Sequence, residues 1–489
     1  MGRQRGTSLG AVTSMIASRR WLVAVIAFAA VIAAAGLLVY VRKGSTATPP
    51  NVVAAKPAAV RRTPAPKFPL RIGPNRRYLV DRTGRPFLIV GDSPQALIVN
   101  LSERQAAQFF ADRERAGFDA MWINLLCDTY TAGRSDATTY DGIRPFRRPG
   151  DLSTPNPAYF ARAAGMIRLA AKRHIAVFLD PIETGGWLDV LRRNGIDKAY
   201  AYGRYVGRRF RRFHNVVWLN GNDFQTWRSG SDDALALAVA RGIRSTERHT
   251  LQTVELNYLT SASSDDLRWR GILGLDAVYT YHPTYAEVLK AYRRDDAPTF
   301  MIEANYEGEH AYTGPETLRR QEYWSLLSAA AGQFYGNKYT WQFIDAWQNH
   351  LDTIGSRQMT LVTNLFAHRR WFDLVPDRRH RLVTSGYGTY STSGDVNSSD
   401  YVTAARTRDA RLAIAYLPTG QPIRVNLRRM AGPRVRAHWY DPTTGRYSAV
   451  NGSPLRRSHS QRFAAPGLNH AGDPDWVLVL TAARHHGHR

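Results

Sequence analysis

From residue 70 onward, short apolar runs alternate with longer segments whose apolar residues recur every three to four positions. A short run rich in β-branched and aromatic residues reads as a buried strand, and a 3.6-residue period reads as an amphipathic helix. The runs are FLIV (87–90), DAMWINLL (119–126), IAVFLD (175–180), NVVWLNGND (215–223), LQTVELN (251–257), DAVYTYH (276–282), TFMIE (299–303) and QFYGN (333–337). Helical segments separate most of them. The first, SERQAAQFFADRERAGF, opens on Ser102 as N-cap with Gln105 at capping-box spacing. Others cover 157–174, the arginine-studded 197–214, and 318–331. Strand-then-helix repeated across these runs predicts an α/β fold of the (β/α)8 TIM-barrel type, whose usual size is about 250 residues. A doubly wound sheet is the alternative. No Gly-rich dinucleotide loop follows any run, which speaks against it and against a nucleotide cofactor.

Beyond residue 375 the rhythm changes. YVTAARTRDARLAIAYLP, PIRVNLRRM, RVRAHWYDPTTGRYSAV and DWVLVLTA are strand-like. Turn signals such as Pro418-Thr419-Gly420 and Asp441-Pro442-Thr443-Thr444-Gly445 divide them, and no long helix intervenes. This predicts an all-β module of about 100 residues, a β-sandwich. The expected boundaries are 69–375 for the barrel, 376–484 for the sandwich and 485–489 for a basic tail.

The N-terminal pattern is different again. After a basic tail over 1–20, residues 21–40 read WLVAVIAFAAVIAAAGLLVY, an uncharged run flanked by aromatic residues. Its length matches the roughly 20 apolar residues of a membrane-spanning helix. It is expected to be a transmembrane signal-anchor. The alternative is a cleaved signal peptide, with Ala33-Ala34-Ala35 near the cleavage site. Either reading places the body outside the cytoplasm, at the cell membrane or secreted. The Pro/Ala-rich segment 41–68 reads as a spacer.

Charge narrows the partners. Lys and Arg number 66 against 40 Asp and Glu, a net +26. Such an excess attracts an anionic membrane face, an acidic polysaccharide or nucleic acid. The arginines are scattered and no zinc finger, basic zipper or single-strand motif is present, so nucleic acid is not an expected partner. The lone cysteine, Cys127, excludes an intramolecular disulfide and a multi-cysteine zinc site. It follows MWINLL and reads as a buried structural thiol. No His-Glu-x-x-His pair, EF-hand loop or Gly-x-Ser-x-Gly elbow occurs, so neither a metal nor a serine nucleophile is expected.

Barrel active sites lie at the C-terminal ends of the strands. The polar residues at those ends are Asp92, Asn124, Asp180, Asp223, Asn257, His282, Glu303 and Asn337. Two carboxylates facing one cavity from separate strands suit cleavage of a glycosidic bond: one protonates the leaving oxygen, the other attacks the anomeric carbon or activates water. Asp223 ends the fourth run and Glu303 the seventh, across the barrel from each other. Expected substrate contacts are Asp92, Asn124, Tyr281, His282, Glu307 in the following loop, and Trp341 as a stacking face. Glu309 shares the loop of Glu307. Structural alternatives stand beside these readings: Asp223 as a helix cap, Glu303 paired to an arginine, Asp92 and His282 as turn residues, Trp341 and Trp347 as core aromatics.

At these residues the chain resembles the apiosidase-like glycoside hydrolases, whose barrel is often followed by a β-sandwich labelled as collagen-binding. The resemblance runs through RYLVDRTGRPFLIVGDSPQAL, YDGIRPF, YGRYVGRRFRRFHNVVWLNGNDF, TYHPTY, FMIEANYEGEH and QFYGNKYTWQF, then HWYDPTTGRY and DPDWVLVL. It implies a catalytic barrel acting on glycans, with an Asp after the fourth strand as acid/base and a Glu after the seventh as nucleophile. Those positions are Asp223 and Glu303. The sequence departs from the expected pattern with NGND at the fourth strand, GDSPQAL where GDTAW is usual, and Asn337 where His is expected. The expected function is an extracytoplasmic, retaining glycoside hydrolase acting on a glycan, with an acidic polysaccharide suggested by charge. The alternative is a non-catalytic envelope protein that binds glycan through a degenerate barrel.

Overall fold

The computed structural model describes residues 64–294, 297–344 and 346–483. The expected membrane span 21–40, both basic tails and most of the 41–68 spacer lie outside these residues. Among the described residues no helix is long and apolar enough to cross a membrane.

Eight parallel strands follow the predicted order: β1 Ile89–Asp92, β2 Ala120–Asn124, β3 Ala176–Asp180, β4 Val216–Leu219, β5 Gln252–Thr253, β6 Asp276–Thr280, β7 Thr299–Glu303 and β8 Gly332–Tyr335. Each pairs in parallel with its neighbour from β1 to β5 and from β6 to β8, and β8 returns to pair with β1. The ladder breaks between β5 and β6. There a short strand, Thr260–Ala262, runs antiparallel to β6. Gly274 N donates to Gln252 O (2.8 Å) and Thr253 Oγ1 to Leu275 O (2.9 Å), stitching the gap. The arrangement is a TIM-like barrel with one irregular seam. The strands are buried on both faces, which is why they read as unbroken apolar runs. At the β8–β1 closure a Cβ on Gly332 would stand 2.2 Å from Ile89 O, so only glycine allows this approach.

Among the described residues, seven helices of more than ten residues flank the strands: α1 Glu103–Ala116, α2 Pro157–Lys172, α3 Thr184–Phe210, α4 Gly230–Thr246, α5 Thr284–Arg294, α6 Pro315–Leu327 and α7 Ile354–Phe366. Ser102 and Gln105 cap α1 reciprocally, as their spacing predicts. The expected helix 197–214 is the second half of α3, which starts at Thr184 and breaks at Gly195 (φ 75°). The first run, FLIV, is divided. Phe87 belongs to a small antiparallel sheet, Arg71–Ile72, Leu79–Val80 and Pro86–Phe87, and β1 starts two residues later. That sheet packs Leu70, Leu79 and Phe87 against Trp122, Phe178, Phe300 and Phe334 of the barrel interior. It closes the end opposite the strand C-termini.

The C-terminal part is all-β. A large antiparallel sheet runs Leu374–Pro376, Thr403–Thr407, Leu412–Leu417, Trp476–Ala482, Arg434–Tyr440, Tyr447–Ala449. A smaller one joins Val383–Ser385, Ile423–Val425 and Gln461–Phe463. Residues of both sheets, among them Val383, Val425, Phe463, Ala413 and Leu478, share one buried cluster, as in a sandwich. The outer face of the large sheet packs on α6. Tyr323 stacks on Tyr416 at 4.9 Å, and Trp324 Nε1 donates to Tyr401 O at 3.0 Å. Arg319, fully buried, donates to Asp475 through Nε (2.8 Å) and Nη2 (2.7 Å) and to Asp473 through Nη2 (2.6 Å).

Candidate active site

Beyond β4 the chain turns through Asn220-Gly221-Asn222-Asp223. Gly221 takes φ 87° and its N–H donates to Asp180 Oδ1 at 3.0 Å. Asp223 itself takes φ 44°, a left-handed conformation that costs a non-glycine residue about 1–3 kcal/mol and that clusters at functional sites. It is not the cap of α4, because Ser229 is the N-cap residue there. Glu303 closes β7 and is 7% exposed. It forms no ion pair with a described residue. Tyr306 OH donates to its Oε2 at 2.9 Å and Tyr281 OH to its Oε1 at 3.1 Å.

Two tyrosines on β6 and its continuation join the carboxylates. Tyr279 OH lies 3.2 Å from Asp223 Oδ1 and 3.1 Å from Tyr281 OH, which reaches Glu303 at 3.1 Å. The carboxyl oxygens at the two ends are therefore no farther apart than the ~9.5 Å upper end of the range that glycosidases use. Three contacts join four oxygen groups, and the phenols bring two protons. All three contacts become hydrogen bonds when the two carboxyls hold one proton between them. With that proton on Asp223, the chain of donors runs Asp223, Tyr279, Tyr281, Glu303. The extra bond from Tyr306 favours negative charge on Glu303.

The electrostatics agree with a shared proton. Burial pushes the Asp223 carboxyl up to about 6, and the charge of Glu309 adds to it. Burial, then the Asp223 charge, hold Glu303 well above the ordinary carboxylate range. A third carboxylate, Glu255, is 1% exposed; its Oε2 accepts from Asp223 N at 3.1 Å. Sequence reasoning missed it. β5 stops at Thr253, so the position at the strand mouth is Glu255 and not Asn257, which instead accepts from Trp227 Nε1 at 2.6 Å.

Asp223 faces a cavity of about 310 Å³ that Tyr130, Gly185, Gln225, Tyr258, Tyr279 and Tyr281 also line. Tyr130 rides on the turn Thr129–Thr131. Glu183 braces that turn, accepting from Thr131 Oγ1 and Asp128 N, both at 2.5 Å. Asn222 Nδ2 donates to Tyr130 OH at 2.5 Å. Trp341, half-buried, stands edge-on to Tyr306 at 6.3 Å. Among the described residues no group of three or more His, Cys, Asp or Glu has the arrangement of a metal site.

The structure thus brings Asp223, Glu303 and Tyr281 together, with Trp341 alongside. It places the other expected contacts in the surrounding scaffold. Asp92 is fully buried and paired with Arg113 at 2.6 Å, so its carboxylate serves α1 packing and not a sugar. Asn124 is fully buried, accepting from Trp122 Nε1 (2.8 Å) and donating to Glu183 (3.3 Å); it acts through Glu183. Glu307 accepts from Thr353 Oγ1 (2.6 Å), Gly355 N (2.9 Å) and Tyr335 OH, which ties it to the start of α7. Asn337 Nδ2 joins the same group. His282 Nδ1 lies 3.2 Å from Gly394 O of the sandwich. Asp180, whose carboxyl burial pushes up to about 7, holds Gly221 and Ile182.

A parallel barrel with paired carboxylates at its strand mouths defines a glycoside hydrolase. The family model described as "Apiosidase-like, catalytic domain" matches residues 73–373, and the chain belongs to that family. A second model, "Putative collagen-binding domain of a collagenase", matches residues 391–481. Among solved structures, one described as a glycoside hydrolase is 20% identical, with a TM-score of 0.72 over 85% of this chain and 97% of its own. A family 5 glycoside hydrolase from Bacteroides vulgatus ATCC 8482 is also 20% identical, with a TM-score of 0.73 over 86% of this chain and 95% of its own. At that identity the likeness speaks for the fold. A search of the curated proteins finds no match.

Proposed function

We propose that this glycoside hydrolase works by a retaining mechanism with Glu303 as nucleophile and Asp223 as acid/base. Glu303 attacks the anomeric carbon while Asp223 gives its proton to the departing glycosidic oxygen. Asp223 then takes a proton from water, whose oxygen displaces Glu303 from the anomeric carbon and restores both groups. The observation that carries this reading is the Asp223–Tyr279–Tyr281–Glu303 chain, which joins the two carboxyls through one shared proton, while Tyr306 adds a second donor to Glu303. Trp341, edge-on to the Tyr306 that holds Glu303, offers an aromatic face to a sugar.

The uncharged run at 21–40 supports action outside the cytoplasm, with the barrel tethered or released. The basic excess of the whole chain supports attraction to an acidic polysaccharide. Among the described residues no Lys or Arg lines the cavity itself, so such attraction acts on the polymer from the exterior and not on the sugar being cleaved.

The test is hydrolysis of a panel of neutral and acidic glycans by the full-length protein, with Glu303→Gln and Asp223→Asn as controls. One glycan is expected to be cleaved with the anomeric configuration retained, and both variants to fall by orders of magnitude while staying folded. Undiminished cleavage by Glu303→Gln would sink the assignment. Retention of a glycan without cleavage would move the binding-protein reading ahead.

A further inference from the structure

Two carboxylates suffice for the reaction, yet Glu255 makes a third. It is bracketed by the turn that carries the acid. Its backbone N–H donates to Gly221 O at 3.2 Å, and its Oε2 receives Asp223 N at 3.1 Å. Its Oε1 is buried and has no hydrogen-bond partner. The charges facing it are those of Glu303, Asp223 and Asp180, and the phenols of Tyr130, Tyr279 and Tyr306 lie within its electrostatic reach. No described Lys, Arg or His forms an ion pair with it.

A buried carboxylate among carboxylates, without a cation, is relieved by taking a proton. Burial and the charges of Glu303 and Asp223 act in that direction. Because Oε2 already accepts an N–H, the proton falls on Oε1. The Asp223 N–H stays bonded to Oε2 in that form, so the turn that carries Asp223 is held without a further negative charge beside it.

We propose that Glu255 is a neutral carboxylic acid at neutral pH, a positioning residue that holds the Asp223 backbone N–H through Oε2. It does not touch the sugar or transfer a proton in the reaction. The positioning role rests on the reading that Asp223 is the acid. The protonation state does not.

Two measurements separate the claims. The first needs no substrate: the infrared difference spectrum between the wild-type protein and E255Q at neutral pH. It should contain the carbonyl stretch of an un-ionised carboxylic acid, and a carboxylate band in its place would overturn the protonation claim even if no glycan were ever cleaved. The second is the pH dependence of kcat/KM on the glycan that the panel identifies. E255A removes the acceptor of the Asp223 N–H and should lower kcat/KM by about 10–100-fold. E255Q, whose amide oxygen still accepts that N–H, should recover about tenfold of that loss, with the alkaline limb where wild type has it. If Glu255 were anionic, removing its charge in E255Q would lower the Asp223 pKa and move that limb to lower pH. That shift would overturn the proposal, as would an E255Q no better than E255A.

Discussion

Replacing Tyr279 by Phe takes one oxygen out of the chain between Asp223 and Glu303 and leaves a buried ring in place. Tyr279 is 1% exposed and meets the Tyr281 ring edge-on at 5.4 Å, contacts that a phenyl ring keeps. The phenol interacts with both forms of Asp223, but unequally. A hydrogen bond to a charged group contributes about 1.5–3 kcal/mol and one between neutral groups about 0.5–1.5 kcal/mol. The difference of about 1.4 kcal/mol favours the ionised carboxyl and corresponds to one pH unit. Without the phenol, the Asp223 pKa of about 6 rises by about one unit. Asp223 acts as an acid only while protonated, so kcat/KM holds below that pKa and falls above it. The alkaline limb should therefore move up by about one pH unit in Tyr279→Phe, even as the plateau drops. Initial rates across pH, with a thermal melt to show the fold intact, read this directly. The limb belongs to the linked group of Asp223, Glu255 and Glu303, so its displacement carries the test and not its absolute position. A limb that stays put, or moves to lower pH, would refute the assignment of Asp223 as the acid held by Tyr279.

Tyr306→Phe acts on the other end: Glu303 loses a donor, its pKa rises, and the acid limb of kcat/KM should move to higher pH, again by about one unit. Gly221→Ala should cost more than about 1 kcal/mol in a denaturant titration and most of the activity, since a side chain at φ 87° is strained and its Cβ would meet Thr184 at 2.7 Å. A fully active variant would show that this turn does not place Asp223. Arg319→Met should lower stability by about 3–5 kcal/mol by stranding Asp475, and Asp475→Asn in the same chain should recover part of it, as a double-mutant cycle can measure.

Much of the barrel was legible because its strands are buried on both sides. Ala176–Asp180 and Thr299–Glu303 are fully buried from end to end, so each appears as an apolar run closed by one polar residue. That signal found Glu303. Asp223 emerged for a related reason, at the end of an apolar run that the chain leaves through Asn and Gly. The same signal failed at β5, whose two residues are Gln252 and Thr253, and Glu255 went unseen within what read as a longer strand. Tyr279 was hidden differently: inside an apolar run a tyrosine reads as packing, and only the neighbours of its hydroxyl reveal its role. Asp92 misled because a polar strand end looks the same whether it faces a cavity or the buried Arg113. The first half of α3 was obscured by Gly185, Gly186 and the break at Gly195. In α6, Arg319, Arg320, Gln321 and Glu322 are all buried against the sandwich or the barrel, so the helix carries no polar stripe to mark its outside.

Arg319 also bears on how such a protein can be divided or inherited. A cut near residue 375 would separate the two family matches cleanly on paper. In the molecule it would leave a guanidinium in the barrel and Asp475 in the sandwich, each without the partner that neutralises it. A different β-domain grafted onto this barrel would have to bring a carboxylate pair to the same spot on α6. Barrel and sandwich are therefore coupled through one buried charge, and a grafted domain without that carboxylate would leave Arg319 unpaired at the seam.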